Sequence, residues 1–85
     1  MLPAEARADL ISRLRKIEGQ AQGIQRMLED GRECRDVINQ LASVREATKR
    51  ASVLLMKHHM RSCLTAGPES SQENVDDMIK LLLRI

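Results

Sequence analysis

Residues 33–63 read ECRDVINQLASVREATKRASVLLMKHHMRSC, and the reading of this run decides the fold. No glycine or proline interrupts it, so it predicts one long helix. It also holds both cysteines and both histidines of the chain. His59 and Cys63 stand four residues apart, one turn along the same helical face. Cys34 precedes His59 by 25 residues, which at a helical rise of 1.5 Å separates them by about 37 Å. A straight helix therefore keeps Cys34 away from the other two. Two antiparallel copies bring the start of one helix beside the end of the other. The same separation excludes an intrachain disulfide, whose Cα atoms must lie within about 7 Å.

Upstream, Leu10, Leu14, Ile17, Ala21, Ile24 and Leu28 recur at spacings of four and three, a heptad-like stripe that requires helical partners. Pro3 and Glu5 suit a helix opening, and Asp30-Gly31 suits its end. The long run carries a matching stripe: Val37, Leu41, Val44, Thr48, Ala51 and Leu55. Ile38, Val53, Leu54 and Met56 widen it, so more than one helix should pack there. Gly67-Pro68 ends the run, and Ser70-x-x-Glu73 looks like a capping box before a short third helix with Val75, Met78, Ile79, Leu82 and Ile85 on its apolar side. The expectation is an all-α chain of 85 residues in a single domain, with helices over roughly 4–30, 33–65 and 71–84. A three-helix protomer with two wide apolar faces leaves much unburied. Pairing two hairpins into an antiparallel four-helix bundle is the simplest remedy, so a homodimer or a dimer of dimers (a homotetramer) is expected. Gly19 and Gly23, at i and i+4 inside the first helix, imply close approach by another helix or by a DNA backbone.

The chain has no Phe, Tyr or Trp, hence no platform for stacking unpaired bases. No apolar run reaches the length of a membrane span and no signal-peptide pattern opens the chain, so a cytoplasmic protein without a membrane partner is expected. The net charge is only +2, but it is sorted. Residues 7–26 carry a balance of +3, residues 44–63 a balance of +4, and residues 66–79 a balance of −4. Arg13, Arg15 and Lys16 on the first helix, with Arg45, Lys49 and Arg50 on the second, form one basic surface if the hairpin brings them together. A sorted surface of this kind suits the phosphate backbone of double-stranded DNA, although lysine and arginine clusters are also ordinary solvated faces. No helix-turn-helix or zinc-finger pattern is present, so DNA contact would use flat helical faces.

In a reducing compartment two cysteines are ligands or redox sensors rather than a structural bridge. Cys34, His59 and Cys63 make a soft donor set, and three donors without an obvious fourth suit Cu(I) better than zinc. Packing and ligation both remain open for the Cys and His at i, i+4, while Met56 and Met60 fit core packing better than thioether ligation. Enzymatic use has no support: there is no Ser/His/Asp set, no phosphate-cradling loop and no paired acids.

RLRKIEGQAQGIQRMLEDGRECRDVINQLASVREA (residues 13–47), together with Cys34-x24-His59-x3-Cys63, resembles the copper-sensitive operon repressor family (CsoR) and its nickel/cobalt-, formaldehyde- and persulfide-sensing relatives. The resemblance runs from about Ala8 to Leu83. It implies an all-helical dimer of dimers that represses transcription by binding operator DNA without its effector, and that Cu(I) at a subunit interface releases. Carried over by position, Cys34 comes from one protomer and His59 with Cys63 from the other. Arg13 and Arg50 match basic positions used for DNA contact; Arg15, Lys16 and Lys49 are added from the charge pattern. Around the ligands, Glu33 stands where copper sensors often carry Tyr, and the acidic partner on the third helix falls at Asp77. The nickel/cobalt type draws on an N-terminal histidine, and no histidine precedes His58. The formaldehyde type has proline directly after methionine, whereas here it is Pro3. The persulfide type keeps both cysteines and lacks the histidine, so sulfur sensing by Cys34 and Cys63 is the alternative within the family. A copper-buffering helical protein without a DNA role is the alternative outside it.

Overall fold

The structure is a computed structural model that describes the backbone at residues 2–66, 76–77, 79–81 and 83–84, and side chains at those positions except 62–66. Every regular element among the described residues is helical. Helix α1 spans Ala4–Glu29 and helix α2 spans Cys34–Ala66. Residues 76, 77, 79–81 and 83 are helical too, inside the stretch where a third helix is expected. The turn Gly67-Pro68 and the capping box at Ser70 and Glu73 lie outside the described residues.

Each end of α1 follows from its residues. Pro3 occupies the N-cap in an extended conformation (φ −59°, ψ 154°) and its carbonyl accepts a 3.0 Å hydrogen bond from the Arg7 amide. Glu5 in the first turn and Arg26 in the last complement the helix dipole. At the far end Gly31 takes φ +70°, the left-handed conformation that costs glycine least. The Gly31 amide donates to the Leu28 carbonyl (3.2 Å) and the Arg32 amide to the Met27 carbonyl (3.0 Å). Those two bonds are a Schellman closure, which satisfies the last carbonyls of α1 and reverses the chain. Glu33 then caps α2, its carbonyl accepting from the Val37 amide at 3.2 Å. The short reversal lays α2 back along α1 as an antiparallel hairpin.

Packing divides each apolar stripe into two columns. Leu10 and Ile24 are buried and Ile17 half-buried, seven residues apart along the inner side of α1. Val37 and Ala51 are buried and Val44 half-buried at the same spacing on α2. The alternate positions face away: Leu14 is 53% exposed, Leu28 63%, Leu41 51% and Leu55 44%, with Ile38 and Ile11 exposed beside them. Thr48 shares that outer column, and its hydroxyl donates to the Val44 carbonyl at 2.8 Å; Ser52 Oγ donates likewise to the Thr48 carbonyl at 3.0 Å. Both hydroxyls are satisfied within the helix, so neither needs water on the outer face. The molecule measures 53 × 26 × 12 Å, and its least dimension is about one helix diameter. The hairpin is thus a single layer with one apolar side closed and the other open.

Candidate functional site

Cys34 is the first residue of α2, and its thiol is free and exposed. His59 lies 25 residues on and is half-buried, while Cys63 is in the last turns of the same helix. One chain does not bring the three together. Among the described residues no three His, Cys, Asp or Glu side chains gather closely enough to hold a metal ion. Glu33 is exposed beside Cys34, and Asp77 is exposed on the third helical stretch. His58, about 100° round the helix from His59, continues the inner column of Val37, Val44 and Ala51 toward α1. His59 instead continues the outer one.

That outer register is informative. Stepping by four and three from Cys34 gives Ile38, Leu41, Arg45, Thr48, Ser52, Leu55 and His59, with Cys63 one turn further. The candidate ligands therefore lie along the same stripe as the exposed Ile38, Leu41 and Leu55. Donors and unburied apolar surface share one side of the long helix.

The basic residues lie on another side. A groove of about 490 Å³ between the helices is lined by Arg13, Lys16 and Arg50, with Asp9, Ser12 and Gln20 at its walls. A second groove, of about 280 Å³, shares Arg13 and Arg50 and continues to Lys49 and Lys57 past Glu46. Folding thus joins bases from the two helices into one strip, with Arg13 and Arg50 at its centre. Arg15 and Arg45 line neither groove: two residues from Arg13 place Arg15 about 200° round α1, and Arg45 falls in the outer register of α2. Lys57 was not singled out by the sequence pattern, although it lies one heptad beyond Arg50. The acids of the strip also emerge only here. Arg13 Nε donates to Asp9 Oδ2 at 3.3 Å, and Arg50 Nε sits 3.7 Å from Glu46 Oε1. Both pairs have the i, i+4 spacing with the acid nearer the N-terminus, a signal legible beforehand. The glycines add a further observation: a Cβ built on Gly19 or Gly23 meets nothing within 4 Å. Packing of α1 on α2 does not account for them.

No helix among the described residues is long and apolar enough to cross a membrane. The family model for metal-sensitive transcriptional repressors matches residues 6–84. A protein of Serratia marcescens known only from its position in the bioA 5′ region is 36% identical over 73 residues, covering 86% of this chain and 80% of that protein. The copper-sensing transcriptional repressor RicR of Mycobacterium tuberculosis is 40% identical over 53 residues, and CsoR of Bacillus subtilis 36% over 61 residues. These matches cover 62% and 72% of this chain but only 55% and 60% of the two repressors. Among solved structures, the Cu(I)-bound copper-sensing repressor CsoR of Geobacillus thermodenitrificans superposes with a TM-score of 0.77 at 26% identity, covering 99% of this chain and 92% of that one. The nickel-responsive transcriptional regulator InrS superposes with a TM-score of 0.68 at 31% identity, over 91% and 84% of the two chains. On the family match across nearly its whole length, with this all-helical hairpin beneath it, the chain belongs to the metal-sensitive transcriptional repressors, a family of regulators rather than enzymes.

Proposed function

We propose that this repressor responds to Cu(I), with Cys34 of one protomer and His59 and Cys63 of its partner as the ligands, in a homodimer built on the open apolar stripe. The observation that carries the reading is the shared register: the three donors lie on the stripe of Ile38, Leu41 and Leu55 that the hairpin leaves exposed. An antiparallel pairing of two α2 helices covers that stripe and sets Cys34 beside the far end of the partner helix. Two thiolates and one imidazole form a soft set that suits Cu(I), and the copper-sensing relatives and the Cu(I)-bound structural neighbour favour the same ion. InrS is a nickel-responsive neighbour, but no histidine precedes His58 to supply a harder donor set near the N-terminus.

The DNA-facing element is the strip of Arg13, Lys16, Lys49, Arg50 and Lys57, a set of point charges and planar forks suited to phosphates. Arg15 keeps a peripheral role, outside the two grooves. Lys49 and Arg50 sit midway along α2, Lys49 flanking the donor stripe and Arg50 on the side away from it. A ligand drawn between the two α2 helices changes how they pack and so the spacing of the two basic strips in the assembly. Operator DNA and Cu(I) then oppose each other, and each weakens the other's binding by the same factor. Glu33 and Asp77 lie next to the ligands in sequence or on the helix expected to cover them, and both orient the donors.

An anaerobic Cu(I) titration of the protein on its own upstream duplex tests this. Release of DNA at one Cu(I) per protomer is the expected result, and Cys34→Ala retains DNA binding while losing the response. Unchanged DNA affinity on loading with Cu(I) sinks the proposal. Glu33 in place of Tyr and the exposed Cys34 thiol favour a second reading, in which Cys34 and the partner's Cys63 form a sulfur bridge in response to reactive sulfur. His59→Ala separates the two, because copper release is lost and the sulfur response survives. A copper-buffering protein would show no salt-steep binding to duplex DNA at all.

A further inference from the structure

We infer that Asp9 and Glu46 restrain DNA binding, because each holds a central groove arginine on a carboxylate that an incoming phosphate has to displace. The inference rests on the DNA-binding reading above and extends it to two residues of opposite charge. Three observations carry it. Arg13 and Arg50 are the only residues common to both basic grooves that carry charge, and both are engaged at Nε, at 3.3 Å and 3.7 Å. The acids themselves line the grooves, Asp9 the larger and Glu46 the smaller. Finally, Glu46 is the sole acid in residues 44–63 and Asp9 is one of two in residues 7–26, the other being Glu18, which lines neither groove; in each basic stretch the acid that reaches a groove falls on the groove arginine. Lys16, Lys49 and Lys57 have no such partner among the described ion pairs.

A phosphate that approaches either guanidinium meets a like charge a few ångströms behind it, and on Arg13 one of the five guanidinium donors is already committed. The pairs are exposed, with side chains between 46% and 73% accessible, so each restraint is moderate. Exposed pairs of this kind correspond to a factor of roughly 1.5 to 5 in an equilibrium constant. Two of them on separate helices combine to a factor on the order of ten. A repressor that has to let go of DNA benefits from such a ceiling, because less effector coupling is then needed for release.

The test uses the full chain without metal and a fluorescent duplex of its own upstream region, with a mixed-sequence duplex of equal length alongside. Asp9→Asn and Glu46→Gln remove the charge and keep the side-chain shape. Each tightens binding to both duplexes by roughly 1.5- to 5-fold, and the double variant by about tenfold. Added salt shrinks the gain, since it screens the carboxylate. Asp36→Asn is the control: it removes the same single charge from the Arg32 pair, which lines neither groove, and shifts affinity by less than about 1.5-fold. Loss of an i, i+4 pair lowers helix stability if anything, so a purely structural role predicts no tightening. Amide variants that bind no better than the native chain overturn the inference while leaving the DNA reading intact. A gain equalled by Asp36→Asn overturns it too, by tracing the effect to net charge. A native chain with no salt-steep DNA binding overturns both readings.

Discussion

Truncating the outer column tests the dimer proposed above. In the hairpin Leu41 is 51% and Leu55 44% exposed, so each has given up only about half of the surface it can bury. Full burial of a leucine is worth roughly 1.5–3 kcal/mol, which leaves about 1 kcal/mol per side chain to be gained against a partner. A two-fold dimer contributes each residue twice. Leu41→Ala with Leu55→Ala therefore weakens dimerisation by about 4 kcal/mol, or roughly a thousandfold in Kd. The hairpin itself loses little, because Leu10, Ile24, Val37 and Ala51 carry its inner seam. Sedimentation velocity over a concentration series reads the dimer constant, and thermal melts over the same series read its link to folding. The expected outcome is a monomer–dimer transition displaced to far higher concentration, with Cu(I) affinity falling in step. Refutation is equally direct. If the double variant associates as tightly as the native chain, the outer column is not the interface, and the derivation of a site between copies fails with it.

Arg13→Ala and Arg50→Ala each weaken binding to any duplex and reduce the magnitude of the log–log salt slope by about 1, as expected for one phosphate contact apiece; an unchanged slope places DNA elsewhere. Gly31→Ala forces a Cβ into φ +70° and costs roughly 1–2 kcal/mol, seen as a lower urea midpoint at constant slope. Gly19→Ala, where an added Cβ meets nothing within 4 Å, raises stability by about 0.8–1 kcal/mol. A loss of stability there instead reveals that the outer face of α1 is pressed by a second copy.

Much of the hairpin was legible beforehand. The unbroken run after Arg32 marks α2, Asp30-Gly31 marks the reversal, and the four–three spacing marks both helices as partners in packing. The expected helices over 4–30 and 33–65 compare with Ala4–Glu29 and Cys34–Ala66. The distance from Cys34 to His59 was equally readable, because helical rise turns sequence separation into length. The composition of the basic strip was less so. Arg15 and Lys16 are neighbours in sequence and equally basic, yet only Lys16 lines a groove, since one residue rotates a helix by about 100°. Lys57 joins the strip for the same reason.

Sequence alone determined that the chain is helical, where it reverses, and that the candidate ligands cannot meet within one straight helix. Local propensity and spacing are sufficient for all three. Only the tertiary structure decided which half of each apolar stripe faces inward. Leu10 and Leu14 are the same residue type on one stripe, and so are Leu41 and Leu55 beside Val37 and Val44. In the hairpin α2 packs onto the Leu10–Ile17–Ile24 column and leaves Leu14, Leu41 and Leu55 open. Hydrophobicity marks the whole of each stripe for burial, but a flat two-helix hairpin closes only one column of it, and which one is a matter of how the helices pack.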